Sequence, residues 1–352
     1  MTHNIIPVWP LTEDEWLAER SKGIGGSDAG TIVGVNHYNS AYVLRREKSG
    51  VAERTFTGNE ATAWGHLLED DIATKYAKDY NKAIVEWPVL IWSSDPERPF
   101  MYANLDYVEV TPSEQFPAGV VTRWESTEIP PGIIDIVECK TTGIATHGNA
   151  DGWAKGKCPD TYLVQGYHYV IVVGTLNEIP KHVTFVACVG GVGLVVRTLG
   201  ILPTDDIAWD DEVAQNICIA EEQFWFCVEN DIDVEIDGST TTEEFLAARY
   251  PRSAPDKIVE VNAEVFALVA EFDLRKKATK EAEKEEKEYR SKIVALLGDA
   301  EAATYNGELL LTFKSGQDRK TFNAEALKAE LPEVYNNFIK TSPGSRTLLL
   351  KL

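Results

Sequence analysis

Glu138 and Lys140 stand two positions apart in Gly132-Ile133-Ile134-Asp135-Ile136-Val137-Glu138-Cys139-Lys140-Thr141-Thr142. The run is rich in β-branched residues, opened by Pro130, Pro131 and Gly132 and closed by Thr141-Thr142-Gly143, which predicts a strand. Alternation puts Ile134, Ile136, Glu138 and Lys140 on one face and Ile133, Asp135, Val137 and Cys139 on the other. A carboxylate and an ammonium at the end of so apolar a strand are costly to bury unpaired. An ion pair at a sheet edge is the commoner explanation of such spacing, and the rest of the chain has to decide.

Further polar residues sit where apolar ones are expected. Leu68, Ile72, Tyr76 and Tyr80 predict a helix over 62–80. Glu69 falls on its inward face, while Asp70 and Asp71 turn outward with Lys75 and Lys78. Asp106 lies in a strand-like run over 100–110, where Asp is disfavoured. A helix predicted over 159–174 carries Tyr162, Gln165 and Tyr169 on one face. Singly, these read as a satisfied core acid, an irregular strand and an aromatic stripe that packs. Together they are parts that hydrolyse a phosphodiester. Carboxylates hold Mg2+, which prefers oxygen ligands. The ion polarises the phosphate and acidifies a bound water. A nearby Lys orients or deprotonates that water and offsets charge.

The elements that must position these groups follow from the same patterns. Residues 9–20 predict an opening helix, with Thr12 as N-cap and Glu15 in capping-box position. The glycine-rich loop 23–30 runs into a helix predicted over 28–35; its backbone N–H groups suit an anion, although a plain turn is the commoner use. A short helix is expected over 41–49, strands over 83–92 and 100–110, a proline-rich loop over 111–131, a polar segment over 147–157 and a hairpin over 181–199. Three strands, a helix and a hairpin after the opening helices give an α/β or α+β core of about 200 residues.

The composition shifts after Pro203. An amphipathic helix over 210–229 and a polar linker precede a long helix over 257–297, apolar at both ends and mixed in charge between, a projecting arm of roughly 60 Å. Strands over 303–314 and 347–352 flank a helix over 323–328. The expected divisions are 1–203, a catalytic domain; 204–298, a helical region; and 299–352, a small α+β module.

The chain of 352 residues is 44% hydrophobic and 26% charged, as soluble globular proteins are. It has no apolar run long enough to span a bilayer and no export signal at its start. Five dispersed cysteines (139, 158, 188, 218 and 227) form no CxxC pair and point to a reducing, cytoplasmic setting. His66, His147 and His168 lack a metal-ligand spacing. Net charge is −22, of which −9 falls in residues 1–200 and −13 in 201–352. Such acidity opposes nucleic acid unless metal ions and a local basic strip, here Arg20, Lys22, Arg45, Arg46 and Lys48, offset it.

Arg20 followed by Gly23-Ile24-Gly25-Gly26-Ser27-Asp28, then Gly65-His66-Leu67-Leu68-Glu69, Leu105-Asp106, Val137-Glu138-Cys139-Lys140-Thr141 and Tyr162-Leu163-Val164-Gln165-Gly166-Tyr167-His168-Tyr169 occur in one order. In this set the chain resembles the PD-(D/E)xK nucleases, and within them the YqaJ-like phage recombination exonucleases related to phage lambda exonuclease. The resemblance implies a restriction-endonuclease-like α/β core with a central mixed sheet. It implies that Asp106, Glu138, the Cys139 carbonyl and Glu69 hold Mg2+, or Mn2+, and that Lys140 activates water. It further implies that Gln165 lies near the scissile and terminal phosphates, that Arg20 and Ser27 bind a 5′-phosphate, and that Tyr162 and Tyr169 face DNA. Relatives degrade linear duplex DNA from 5′ ends, leave 3′ single strands, form trimeric rings and work with a single-strand annealing protein. The departures are Tyr107 after Asp106, where the family usually has Gly, and a spacer of 32 positions from Asp106 to Glu138, which suggests an inserted hairpin. Asp135 is nearer in sequence but faces the other way. An iron–sulfur nuclease of the same superfamily needs four clustered cysteines, which this chain lacks. A non-catalytic scaffold that keeps the fold and docks a partner is the alternative.

Overall fold

The computed structural model describes residues 5–36, 38–52, 60–142, 152–153, 157–176, 181–340, 344 and 346–351. The chain divides into two compact units, Met1–Arg249 and Tyr250–Leu352.

In the first unit the elements in order are β1 (Ile5–Pro7), α1 (Glu13–Ser21), β2 (Ile24–Gly25), α2 (Gly26–Ile32), α3 (Ala41–Lys48) and α4 (Glu60–Tyr80). Then come β3 (Ala83–Glu86), β4 (Val89–Trp92), β5 (Met101–Ala103), β6 (Tyr107–Val110), β7 (Val120–Arg123) and β8 (Ile133–Thr142). The unit closes with α5 (Asp160–Gly174), β9 (His182–Val189), β10 (Gly193–Gly200), β11 (Ile207–Ala208), α6 (Asp211–Glu229) and α7 (Thr240–Arg249).

A seven-stranded mixed sheet has the order β11-β10-β9-β8-β6-β3-β7, and a four-stranded sheet the order β1-β4-β5-β2. Helices cover both faces of the larger sheet. Tyr167, Tyr169, Val170, Val172 and Val173 of α5 share a core with Ile136. Ile72, Ala73, Tyr76 and Ala77 of α4 share another with Val137 and Cys139. This is the α/β core with a central mixed sheet expected from the sequence.

The two strands expected over 83–92 and 100–110 are each broken in two. The chain passes from the larger sheet to the smaller at Trp87-Pro88 and back at Asn104–Asp106. Pro88 has no N–H for a ladder, and Asn and Asp are poor strand formers, so both breaks fall where the backbone tolerates them. Asp106 therefore lies in a sheet crossing and not inside a strand. In β8 the alternation fails once: Val110 pairs with Ile133 and Glu109 with Asp135, so Ile134 is an extra residue. Ile133 consequently joins the core of Ile136, not the face of Val137.

The glycine-rich loop is built for close approach. A Cβ on Gly23 would lie 2.2 Å from the Phe100 carbonyl oxygen, and one on Gly25 2.7 Å from the Tyr102 ring. One on Gly26 would lie 2.5 Å from the Tyr169 ring. The segment 147–157, including His147, falls mostly outside the described residues. Residues 204–249 pack within the first unit: buried Phe224 of α6 joins Ile24 and Leu44, and Phe245 of α7 joins Tyr42 and Val43.

The second unit contains α8 (Ala263–Leu297), β12 (Ala302–Tyr305), β13 (Glu308–Thr312), α9 (Ala324–Glu330) and α10 (Pro332–Asn337). The long helix starts six residues later than expected because Asn262 caps it, accepting from the Val265 amide at 3.0 Å. No residue of α8 is buried. Arg275–Glu271 and Lys292–Glu288 pairs, each four residues apart, lace its surface. The strand expected over 347–352 does not form in residues 347–351; β12 pairs instead with β13. No helix among the described residues is long and apolar enough to cross a membrane.

Candidate active site

Strand β8 outruns its neighbour. Its pairing with β6 ends at Val137, opposite Tyr107, while its pairing with β9 continues to Thr142. Beyond β6 the Cys139 N–H takes the carboxylate of Asp106 instead of a backbone oxygen, at 3.0 Å. In a strand the N–H and C=O of one residue point the same way, so the Cys139 carbonyl faces that side too. The sheet crossing thus brings Asp106 beside Glu138.

Glu138 is 1% exposed on the α5 side. Its Oε1 pairs with the Lys140 ammonium and accepts from Gln165 Nε2 at 2.6 Å. Its Oε2 is buried, and among the described residues nothing hydrogen-bonds it. Lys140 lies 5.1 Å from the centroid of the Tyr162 ring, which roofs the pair. Glu69 adjoins them from α4, half-buried, with His66 Nδ1 of the same helix 3.7 Å from its Oε2.

The carboxylates work against one another. Burial, then the charge and hydrogen bond of Asp106 and the charge of Glu138, push Glu69 up to about 9. Burial and the Asp106 charge push Glu138 up to about 8, with Lys140 pulling the other way. Burial opposes the charge on Lys140, but Glu138 and Asp106 outweigh it and raise its pKa, so it stays an ammonium. Among the described residues no three His, Cys, Asp or Glu side chains form a ready-made metal cage. The donor set nonetheless suits a hard cation: oxygen ligands in mutual repulsion, and one buried oxygen, Glu138 Oε2, without a partner. Glu69 and Asp106 line an open cleft of about 210 Å³ together with Asp70 and Asn104.

Arg20 and Ser27 meet, as guanidinium Nη2 donates to Ser27 Oγ at 3.1 Å. Arg20 Nε donates to the Tyr102 hydroxyl at 3.2 Å, and the guanidinium lies 4.4 Å from the Trp16 ring centroid. Both line a cavity of about 500 Å³. Lys48, also on that wall, pairs with Asp28 at 2.7 Å and donates to the Arg20 carbonyl at 3.0 Å. Burial pushes Asp28 up, but Lys48, Arg20 and the Gly25 amide together hold it below the ordinary carboxylate range.

Two expectations need correction. The basic strip is largely spent on the protein's own acids: buried Arg45 pairs with Asp231 at 2.7 Å, Arg46 with Asp233 at 2.6 Å, and Lys22 with Glu19. Tyr169, expected at a DNA-facing surface, is 4% exposed, and its hydroxyl is used internally by Gln165 and by the Asn104 carbonyl. Sequence reasoning missed Trp16, Tyr102 and Asn104. A polar Asn in a strand-like run, two residues before Asp106, was the available signal.

A mixed sheet thus gathers Asp106, Glu138 and Lys140 at one strand end, flanked by the amide of Gln165 from α5. The family model of the YqaJ-like viral recombinase domain matches residues 15–176. That segment contains every residue placed at the site, from Trp16 to Tyr169. The uncharacterized protein YqaJ of Bacillus subtilis (strain 168) is 28% identical over 335 residues, 94% of this chain and 92% of the relative. A protein of African swine fever virus (strain Badajoz 1971 Vero-adapted) is 36% identical over 56 residues, 16% of each chain. Among solved structures, LHK-Exo in complex with dAMP aligns at a TM-score of 0.45 and 16% identity, over 68% of this chain and 98% of its own. The alkaline exonuclease LHK-Exo from Laribacter hongkongensis aligns at a TM-score of 0.43 and 15% identity, with the same coverage.

Proposed function

We propose that the protein is a metal-dependent exonuclease that hydrolyses phosphodiester bonds from the ends of linear double-stranded DNA, 5′ to 3′, leaving 3′ single strands for recombination by annealing. The observation that carries the reading is Glu138: one oxygen held by Lys140 and Gln165, the other buried without a partner beside Asp106. A cation there would relieve the repulsion that Asp106, Glu138 and Glu69 exert on one another.

Asp106, Glu138, the Cys139 carbonyl and Glu69 would hold the cation, Mg2+ or Mn2+. When bound, it supplies Lewis-acid polarisation of the phosphate and a more acidic water. Lys140, kept as an ammonium, orients the attacking water by donating to it and offsets negative charge as the bond breaks. Gln165 Nε2, placed by α5, fixes Glu138. Arg20 and Ser27 hold the terminal phosphate by charge and hydroxyl, with Tyr102 aiming the guanidinium. The 5′ direction rests on the resemblance to the phage exonucleases, as do a trimeric ring and a single-strand annealing partner. Five free thiols suit a reducing cytoplasm.

The test is a time course on linear and closed-circular duplexes, with 5′-phosphate or 5′-hydroxyl ends, with and without Mg2+. Digestion confined to linear DNA with the metal, faster from phosphorylated ends, is expected. Equal digestion of closed circles, or digestion in excess chelator, overturns the reading.

A further inference from the structure

A path of contacts joins the two halves of the site. Glu138 Oε1 accepts from Gln165 Nε2 at 2.6 Å, and the same amide donates to the Tyr169 hydroxyl at 2.8 Å. That hydroxyl donates to the Asn104 carbonyl at 2.9 Å. Asn104 Oδ1 accepts from Trp16 Nε1 at 3.2 Å, and the Trp16 ring lies under the Arg20 guanidinium. Tyr169 also touches the anchor by a second route, because its ring packs so closely on Gly26 that a Cβ there would come within 2.5 Å. Gly26 directly precedes Ser27.

A buried phenol whose hydroxyl both donates and accepts, and whose ring is clamped, has a single orientation. It links three elements: α5 carries Gln165, the crossing between β5 and β6 carries Asn104, and α1 carries Trp16 and Arg20. Tyr102 of β5 braces the same elements through Arg20 and His168. The distance from the end anchor to the cleavage centre is therefore set by the protein before any DNA is bound.

We propose that Tyr169, with Asn104 and Trp16, is a positioning device that holds the Arg20–Ser27 anchor at a fixed offset from Glu138 and Lys140 and so makes cleavage depend on the state of the DNA terminus. It rests on the nuclease reading above. Without the hydroxyl, Gln165 loses an acceptor and the Asn104 carbonyl a donor, and an anchored end no longer brings the bond to be cut into place.

The test is Tyr169→Phe, which keeps the ring against Gly26, compared with the wild type by kcat and KM on 5′-phosphorylated and 5′-hydroxyl linear duplexes. Affinity for both duplexes is measured without metal, and the fold is checked by circular dichroism. The variant is expected to lose about tenfold of the wild-type preference for phosphorylated ends, the worth of one ordinary hydrogen bond. The loss is expected in kcat, with metal-free affinity for phosphorylated ends retained because Arg20 and Ser27 are intact. Trp16→Phe, which keeps a ring under Arg20 but loses the N–H to Asn104, is expected to move the preference the same way. Equal slowing on both kinds of end makes Tyr169 merely structural and overturns the proposal, as does an unchanged preference. A wild type that cuts well without preferring phosphorylated ends also overturns it while leaving the nuclease reading intact. A wild type that cuts nothing overturns both.

Discussion

His168 Nδ1 lies 2.9 Å from Glu221 Oε1, and neither side chain is exposed. The pair fastens α6 to α5, and the other ring nitrogen of His168 reaches the Tyr102 carbonyl at 2.9 Å. Burial opposes a charge on His168, but Glu221 and that carbonyl outweigh it and raise its pKa. Removing one partner strands the other in a dry interior. Glu221→Ala is expected to destabilise the first unit by about 3–5 kcal/mol, read as a lower urea midpoint at neutral pH.

Lys140→Ala removes the ammonium that would orient water but leaves the end anchor untouched. Turnover on linear duplex is expected to fall by about 10²–10⁴-fold. Metal-free DNA affinity, followed by fluorescence anisotropy, should change little. A variant that cuts as fast as the wild type would remove Lys140 from the chemistry.

Asp106→Asn keeps an acceptor for the Cys139 amide and discards the charge that burdens Glu69 and Glu138. In chelator the variant is expected to melt no lower than the wild type. Mg2+ or Mn2+ should raise the wild-type Tm and raise the variant's much less. Differential scanning fluorimetry over a metal titration separates the two.

His182 bridges Asp135 at 2.7 Å and Asp205 at 2.8 Å. The hydrogen bond and charge of Asp135, helped by Asp205 and opposed by burial, push it up to about 9. A group raised in the folded state stabilises fully below its unfolded pKa, about 6.5 for His, and loses that contribution as pH rises through the folded value. The Tm difference between wild type and His182→Gln is expected to be widest near about pH 6 and to close by about pH 10. A difference that grows with pH would contradict the pairing.

Local pattern was enough for the polar face of β8. Glu138 and Lys140 share a side because period-two alternation survives from Asp135 onward. It failed for Ile133, since nothing in a β-branched run announces the extra residue at Ile134. It failed again at Trp87-Pro88 and Asn104–Asp106, because alternation reports which way a side chain points and not which sheet its strand has joined. Arg20 and Ser27 are neighbours only once α1 and α2 fold back on Tyr102, a contact that no spacing states. Arg45 and Arg46 counted as free cations in the sequence; their partners Asp231 and Asp233 lie far along the chain. Long-range pairing of this kind is invisible to composition.

Because β8 extends beyond β6, the Cys139 amide has a side chain as its acceptor where a strand would ordinarily supply backbone. Its proton exchanges with solvent only when Asp106 lets go. Deuterium uptake at that one position therefore registers where the aspartate is, and any ligand that draws Asp106 aside would speed the uptake there while leaving the β9 flank of the strand slow.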